Sequence, residues 1–345
     1  MSEETEILFE RRGAIGLVTL NRPRALNALT HKMCLAMDAQ LQEWERDAAV
    51  AAVVIRGTGE KAFCAGGDIR ALYESGKAGT SYAINFYRDE YRLNARIKHY
   101  PKPYVALLHG IVMGGGFGLS VHGSHRVAAE NVVFAMPETG IGLFPDVGGS
   151  FALPRCPGEL GMYFALTGAR VKTADVIYAQ VATHHVPAEH FEALTERLAS
   201  GQTPDTAIGA LAKDPGTPTL EGLRGPIDRH FAGGSVEDIL FALDAVVSEW
   251  TRETAAIIRT KSPTSSKVAF RQLREGRKLS FDDCMRMEFR MVHGIIAGHD
   301  FYEGVRAAIV EKDNKPVWNP ADLSQVSVED VDGYFAPLRG GELVL

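Results

Sequence analysis

An apolar run, Val105-Ala106-Leu107-Leu108, leads within a few residues into three consecutive glycines, Gly114-Gly115-Gly116, and then into Phe117-Gly118-Leu119-Ser120. A short apolar run bounded by turn signals reads as a buried strand, and a glycine turn after it lets backbone approach backbone without a Cβ clash. Two more runs share this form. Ile15–Leu20 (IGLVTL) closes on Asn21-Arg22-Pro23, and Ala52-Val53-Val54-Ile55 closes on Gly57-Thr58-Gly59. Between them Thr30 can cap a segment in which Met33, Met37, Leu41 and Trp44 recur at near-helical spacing. Strands alternating with helices constrain the chain to an α/β core.

The last third changes character. Pro and Gly become dense between Gly201 and Pro226, which reads as a connection or an irregular excursion. Beyond it Ser235-Val236-Glu237-Asp238 has the form of a capping box. The helix it opens is expected to carry Ile239, Leu240, Leu243, Val246, Val247 and Trp250 on one face. Ser262-Pro263-Thr264-Ser265 begins another helix, and Phe281 to Ile296 forms a third. The 345 residues exceed one average domain. The expectation is a core over residues 1–200 followed by a mainly helical region over 201–345.

Hydrophobic residues at 46% and charged residues at 23% describe a globular chain able to bury a sizeable core. Lys and Arg total 37 against 43 Asp and Glu, a balance of −6 that argues against nucleic acid as the main partner. Cys34, Cys64, Cys156 and Cys284 lie far apart without metal-ligand spacing, so reduced thiols are expected rather than a disulfide framework. The start, MSEETEILFERRG, is acidic and has neither an apolar signal core nor an Arg/Ser-rich transit segment. No run approaches the roughly 18 apolar residues of a membrane span. The expectation is a cytoplasmic location with no membrane partner.

Three stretches can carry chemistry. In Ala62-Phe63-Cys64-Ala65-Gly66-Gly67-Asp68-Ile69 a strand-like entry leads through two glycines into a helix start, where N–H groups are free. It also reads as a tight turn with Asp68 as its N-cap. The Gly114–Gly116 turn can aim N–H groups at an oxygen gaining charge, or serve close helix–strand packing. A dinucleotide site lacks its G-x-G-x-x-G pattern and acidic partner. Glu138 and Asp146 follow in PETGIGLFPDVGG, where Met136, Ile141, Leu143, Phe144 and Pro145 make apolar surroundings. Desolvation there raises a carboxyl pKa and makes a better base, though either acid alone also reads as a cap or a solvated loop residue.

Other features carry less. His122 with His125, and His184 with His185, lack a third ligand and read as packing or capping residues. Cys64 reads as a small packed residue, and Phe281, Met285 and Phe289 as a core or interface stripe. Arg271, Arg274, Arg277 and Lys278 read as a solvated face, with contact to ligand phosphates as the alternative.

The motifs NRPRALNAL, KAFCAGGDIRAL, FYRDEYRLN, KPYVALLHGIVMGGGFGLSVHG, FAMPETGIGLFPDVGGSFALPR, FALTGAR, KSPTSSKVAFRQLREG and GHDFYEGVRAAIVEKDNKPVWNPADL resemble those of the crotonase (enoyl-CoA hydratase/isomerase) superfamily. They run from about Ile15 to Leu323, nearly the whole chain. Within that superfamily the chain is most similar to the branch that hydrolyses short β-hydroxyacyl-CoA thioesters, 3-hydroxyisobutyryl-CoA of valine breakdown foremost. The resemblance implies a spiral of repeated ββα units in the 1–200 core, with the acyl-CoA site there. It also implies a helical C-terminal region through which such proteins associate as homo-oligomers. It gives the Gly67 and Gly115 N–H groups to the thioester oxyanion, catalytic roles to Glu138 and to Asp146, the latter positioning the substrate hydroxyl or helping with proton transfer, and to Glu90 a hydrogen bond at the acyl end. Arg24, Ala25 and Leu26, with the turn from Ala65 through Asp68 to Ile69, match the CoA-binding edge. No metal or redox cofactor is implied, since CoA is part of the substrate.

One departure stands out. A hydratase places a second glutamate three residues after the central oxyanion glycine, where this chain has Gly118. Adding water across a double bond needs one proton removed and another delivered, and one of those two acids has no side chain here. The expectation is a hydrolase, with a hydratase or isomerase as the alternative.

Overall fold

In the computed structural model, which describes residues 5–345, the three apolar runs lie side by side in one sheet. The first four residues of the acidic start lie outside the described residues. The strands are β1 Ile7–Arg12, β2 Ile15–Leu20, β3 Ala52–Gly57, β4 Ala62–Cys64 and β5 Tyr104–Leu108. They continue with β6 Ile111–Met113, β7 His125–Ala128, β8 Val133–Ala135, β9 Val171–Lys172 and β10 His184–His185. The larger sheet has six strands in the order β1-β2-β3-β5-β7-β10, and the smaller has four in the order β4-β6-β8-β9. β1 and β2 form an antiparallel hairpin. The remaining pairs of the large sheet are parallel, with Val18 opposite Ile55, Val54 opposite Val105 and Leu107 opposite Val127.

Parallel strands are covered on both faces, which is why the runs are continuously apolar instead of alternating. On one face Ile15, Leu17, Val54, Val105, Leu107 and Val127 pack with Leu194, Leu198 and Ile208. The last three come from the helices Phe191–Ala199 and Pro204–Gly209. Each such fully buried side chain contributes about 1.5–3 kcal/mol. Gly16, between Ile15 and Leu17, points to the other face. A Cβ there would sit 2.4 Å from the Trp44 ring, so glycine is what lets the His31–Arg46 helix lie close. Thr30 caps that helix as expected, its hydroxyl accepting from the Met33 N–H at 3.2 Å.

The described chain forms two compact units, each assembled from separate stretches. The first takes residues 5–67, 92–134 and 170–221 and holds the ten strands except Ala135, the last residue of β8. The second takes residues 68–91, 135–169 and 222–345 and is mainly helical. The helices expected from Ser262 and Phe281 are present as Pro263–Gly276 and Phe281–Ala297.

Two expectations are corrected. The Ser235 helix ends at Asp244, leaving Val246 and Val247 exposed. A new helix, Glu249–Arg259, starts because Ser248 and Thr251 cap each other's backbone N–H groups reciprocally. The supposed excursion up to Pro226 contains the helices Pro204–Gly209 and Thr219–Phe231, the latter with Pro226 inside it. Leu220, Ile227 and Phe231 are buried at helical spacing, and their burial overrides the proline's cost. Among the described residues no helix is long and apolar enough to cross a membrane.

Candidate active site

Pairing of β4 with β6, parallel and with Cys64 opposite Val112, sets the two glycine turns side by side at the ends of adjacent strands. A Cβ on Gly66 would lie 3.9 Å from the Gly115 nitrogen, and one on Gly116 would lie 2.2 Å from the Cys64 carbonyl oxygen. Gly116 is therefore needed for the approach itself. Gly67 bridges Leu29 in parallel fashion, with the Leu29 N–H donating to the Gly66 carbonyl at 2.9 Å. In such a bridge the central residue's own N–H faces away from its partner strand. Gly115 begins the short helix Gly115–Gly118, where N–H groups have no intrahelical acceptor. Both sequence-predicted donors thus belong to neighbouring turns of the first unit. Cys64 is buried and directs its thiol to the Gly66 carbonyl at 3.5 Å, a packed role.

Arg24, Ala25 and Leu26 lie in the same unit, in a turn held by a residue that the sequence did not single out. Asn27 is fully buried, and its amide donates to the Thr58 and Ala62 carbonyls at 2.9 Å each. Its carbonyl accepts from the Arg22 N–H at 2.9 Å. Leu26 and Asn27 both have left-handed backbone, with φ of 52° and 55°, a conformation Asn tolerates better than most residues. The Ala65 N–H donates to the Leu26 carbonyl at 3.0 Å, tying this turn to the first glycine turn. Beside it lies a cleft of about 400 Å³ lined by Pro23, Arg24, Leu26, Glu60 and Lys61.

The second unit gathers the acids. Glu90 on the helix Tyr82–Lys98, Glu138 on the turn Glu138–Ile141, and Asp146 are all buried, as is Glu288 on the helix Phe281–Ala297. The Tyr91 hydroxyl donates to Asp146 Oδ2 at 3.0 Å. Burial drives every one of these carboxyls upward. Glu138 and Glu90 stand well above the usual carboxylate range, each raised further by Asp146. Burial lifts Asp146 to about 7 against the opposing pull of the Tyr91 hydrogen bond. Carboxyls tuned in this way are suited to proton transfer near neutral pH. Glu138 Oε2, Glu90 Oε1 and the Tyr87 hydroxyl are buried without a hydrogen-bond partner among the described residues. A buried polar group left unpaired costs about 1–3 kcal/mol, a cost that each of these three atoms carries within the described chain.

Asp68 and Ile69 begin the helix Ile69–Lys77, with the Asp68 carboxylate accepting from the Ala71 N–H at 3.4 Å. Asp68 thus has the capping role. Glu138's turn is braced by the C-terminal motifs. The Ser262 N–H donates to the Thr139 carbonyl at 3.1 Å, and the Ser262 hydroxyl donates to Asp300 Oδ2 at 2.5 Å. A Cβ on Gly142 would meet the Asp300 backbone at 2.2 Å, and one on Gly304 would meet Ile141 at 2.4 Å.

Asp146 is held by a clamp the sequence reading missed. Val147, the next residue, has φ 52°, a conformation that costs a β-branched side chain on the order of 1–3 kcal/mol. Gln272 donates to the Pro145 carbonyl at 2.7 Å on one side of it. On the other side Glu288 accepts from the Gly148 N–H at 2.8 Å, from the Ser150 N–H at 2.9 Å, and from the Ser150 hydroxyl. Burial pushes Glu288 up to about 8 in spite of those donors.

The remaining candidates have structural partners. His125 contacts Asp205 at 3.1 Å and stacks on His184, while His122 meets the Phe117 ring edge-on. The solvated-face expectation is corrected for Arg274, which binds Glu159 and the Phe231 and Gly233 carbonyls, and for Arg271, which binds Glu275 and Asp332. The Arg274 acceptors are distant in sequence and no periodicity reveals them, whereas Glu275 is the i,i+4 neighbour of Arg271 on the same helix. Phe281, Met285 and Phe289 are buried.

A family model described as enoyl-CoA hydratase/isomerase matches residues 15–335. A protein of Danio rerio named 3-hydroxyisobutyryl-CoA hydrolase, mitochondrial, is 47% identical over 351 residues, which is 99% of this chain and 92% of the relative. The Homo sapiens protein of the same name is 44% identical over 348 residues, 98% of this chain and 90% of the relative. A crystal structure titled as a carnitinyl-CoA dehydratase from Mycobacterium thermoresistibile superimposes with a TM-score of 0.94 at 43% identity, covering 99% of both chains. One titled as an enoyl-CoA hydratase from Rhodobacter sphaeroides gives 0.93 at 38% identity, covering 99% of this chain and 100% of its own. The fold expected from the motifs is the one observed. The cytoplasmic location is corrected, because the relatives are named as mitochondrial proteins.

Proposed function

The chain belongs to the enoyl-CoA hydratase/isomerase family, and on that premise we propose that it hydrolyses 3-hydroxyisobutyryl-CoA to 3-hydroxyisobutyrate and free CoA, a step of valine breakdown. The observation that carries this reading is its near end-to-end likeness to relatives named for that hydrolysis. In this reading the Gly67 and Gly115 N–H groups are the donors for the thioester oxyanion. A donor of that kind is worth about 2.7–4 kcal/mol of barrier. Water adds to the carbonyl carbon, the C–S bond breaks, and the departing sulfur takes up the proton that water gave. Glu138 is the acid–base group for that transfer, or attacks first and passes the acyl group to water through a mixed anhydride. Asp146 and Glu90 hold the hydroxyacyl end. The Arg24–Leu26 turn, with its adjoining cleft, takes part of the CoA. CoA enters as substrate, and the reading calls on no separate cofactor.

A second reading has a specific basis, since the two solved structures just described carry dehydratase and hydratase titles. Against it stands Gly118, which offers no second acid, although Asp146 is a candidate to replace it. Incubating the protein with 3-hydroxyisobutyryl-CoA and with crotonyl-CoA, and following free thiol and the enoyl chromophore in parallel, separates the two. The hydrolase reading expects thiol from the hydroxyacyl thioester, abolished by Glu138→Ala. Loss of the enoyl chromophore without thiol release would establish the hydratase instead.

A further inference from the structure

The Tyr87 hydroxyl is the one donor among the three unpartnered buried groups of the acid cluster, beside Glu90 Oε1 and Glu138 Oε2. Tyr87 is 1% exposed, so water does not satisfy it from the surface. It stands on the Tyr82–Lys98 helix one turn before Glu90 and Tyr91, on a shared face. Its ring lies 5.8 Å from that of Tyr91, whose own hydroxyl is already committed to Asp146. The phenol is raised first by burial, then by the carboxyls of Asp146, Glu90 and Glu138. A buried phenol one helical turn from Glu90, bonded neither to it nor to any other described residue, is arranged to donate to something that enters beside it.

An alcohol fits this arrangement. A hydroxyl carries one donor and two acceptor lone pairs, so it can accept from Tyr87 and donate to a neighbouring carboxylate at once. An acyl chain without a hydroxyl would leave both groups buried and unpaired. Sites built to hydrogen-bond a substrate hydroxyl reject the analogue lacking it far more strongly than apolar pockets discriminate by size.

We propose that Tyr87 is a specificity-determining residue that donates a hydrogen bond to the β-hydroxyl of the acyl group, with Glu90 accepting from that hydroxyl. The proposal rests on the hydrolase reading above and goes beyond it by naming what distinguishes a hydroxylated from a plain acyl thioester.

The test compares wild-type protein and Tyr87→Phe on 3-hydroxyisobutyryl-CoA and isobutyryl-CoA, following thiol release. Phenylalanine is expected to lower kcat/KM for the hydroxylated substrate about 10- to 100-fold. Turnover of isobutyryl-CoA should stay within about threefold of wild type, so that selectivity collapses. Equal losses on both substrates, or no loss on either, would overturn the role. The thermal midpoint gives an independent check. Removing a buried hydroxyl that has no partner should leave it unchanged or raise it, and a drop of several degrees would mean the phenol is spoken for within the protein. If wild type releases no thiol from 3-hydroxyisobutyryl-CoA, the hydrolase reading fails and takes this proposal with it. If wild type is active and selectivity survives in Tyr87→Phe, only the Tyr87 role fails.

Discussion

Replacing Glu288 with glutamine separates the shape of the buried clamp from its charge. Burial carries the Glu288 carboxyl from 4.5 up to about 8. At about 1.4 kcal/mol per tenfold change in proton affinity, its ionised form costs on the order of 5 kcal/mol in the folded protein. A carboxyl raised on folding binds its proton more tightly in the native chain than in the unfolded one. Its contribution is therefore whole below the unfolded value of 4.5 and is lost as pH rises toward about 8. Roughly 3 kcal/mol of that loss falls between about pH 5.5 and about pH 8.5. Glutamine keeps one carbonyl for Ser150 but turns an amide toward the Gly148 N–H, leaving a buried donor unpaired at about 1–3 kcal/mol. Urea unfolding followed by tryptophan fluorescence at the two pH values should show Glu288→Gln as the less stable protein at the lower pH. The difference should close or reverse at the higher pH, because the variant escapes the ionisation cost. Stability curves that stay parallel across the range would refute the reasoning, since Glu288 would then not change its proton affinity on folding.

Two further outcomes follow from named contacts. Asn27→Ala removes two donated and two accepted bonds from a buried turn; we expect a loss of about 2–4 kcal/mol in denaturant unfolding and a raised KM for the acyl-CoA, with kcat less affected. Because burial raises Glu138 well above the carboxylate range and lifts Asp146 to about 7, any step needing their ionised forms gains rate as pH rises. The acid limb of kcat/KM for thiol release should lie clearly above 4.5, and a limb at the ordinary glutamate value would count against Glu138 as the group that ionises.

What the chain discloses in one dimension divides along a physical line. β2, β3 and β5 are legible because each is buried on both faces and must be apolar throughout, and the Thr30 and Ser262 caps are legible because capping is local. The Ser235 helix was overextended for a related reason. The apolar period continues through Val246 and Val247, and only the equally local Ser248 and Thr251 pair says that a new helix begins. Glu288 left a signal as well. It falls in phase with Phe281, Met285, Val292 and Ile295 on a buried stripe, where an acid is out of place unless something meets it. What meets it is Gly148 and Ser150, 140 and 138 positions earlier, and no periodicity connects such residues. Tyr87 is harder still, because an aromatic at a core position is ordinary until its hydroxyl is found to have no partner among the described residues. The glycine turns and Glu138 could be named from motifs, whereas the groups that aim Asp146 and leave a phenol uncommitted depend on which distant side chains fail to pair. In this protein, therefore, the proposed reacting groups are read from local pattern, and the proposed selectivity is read from absences that only the packed chain reveals.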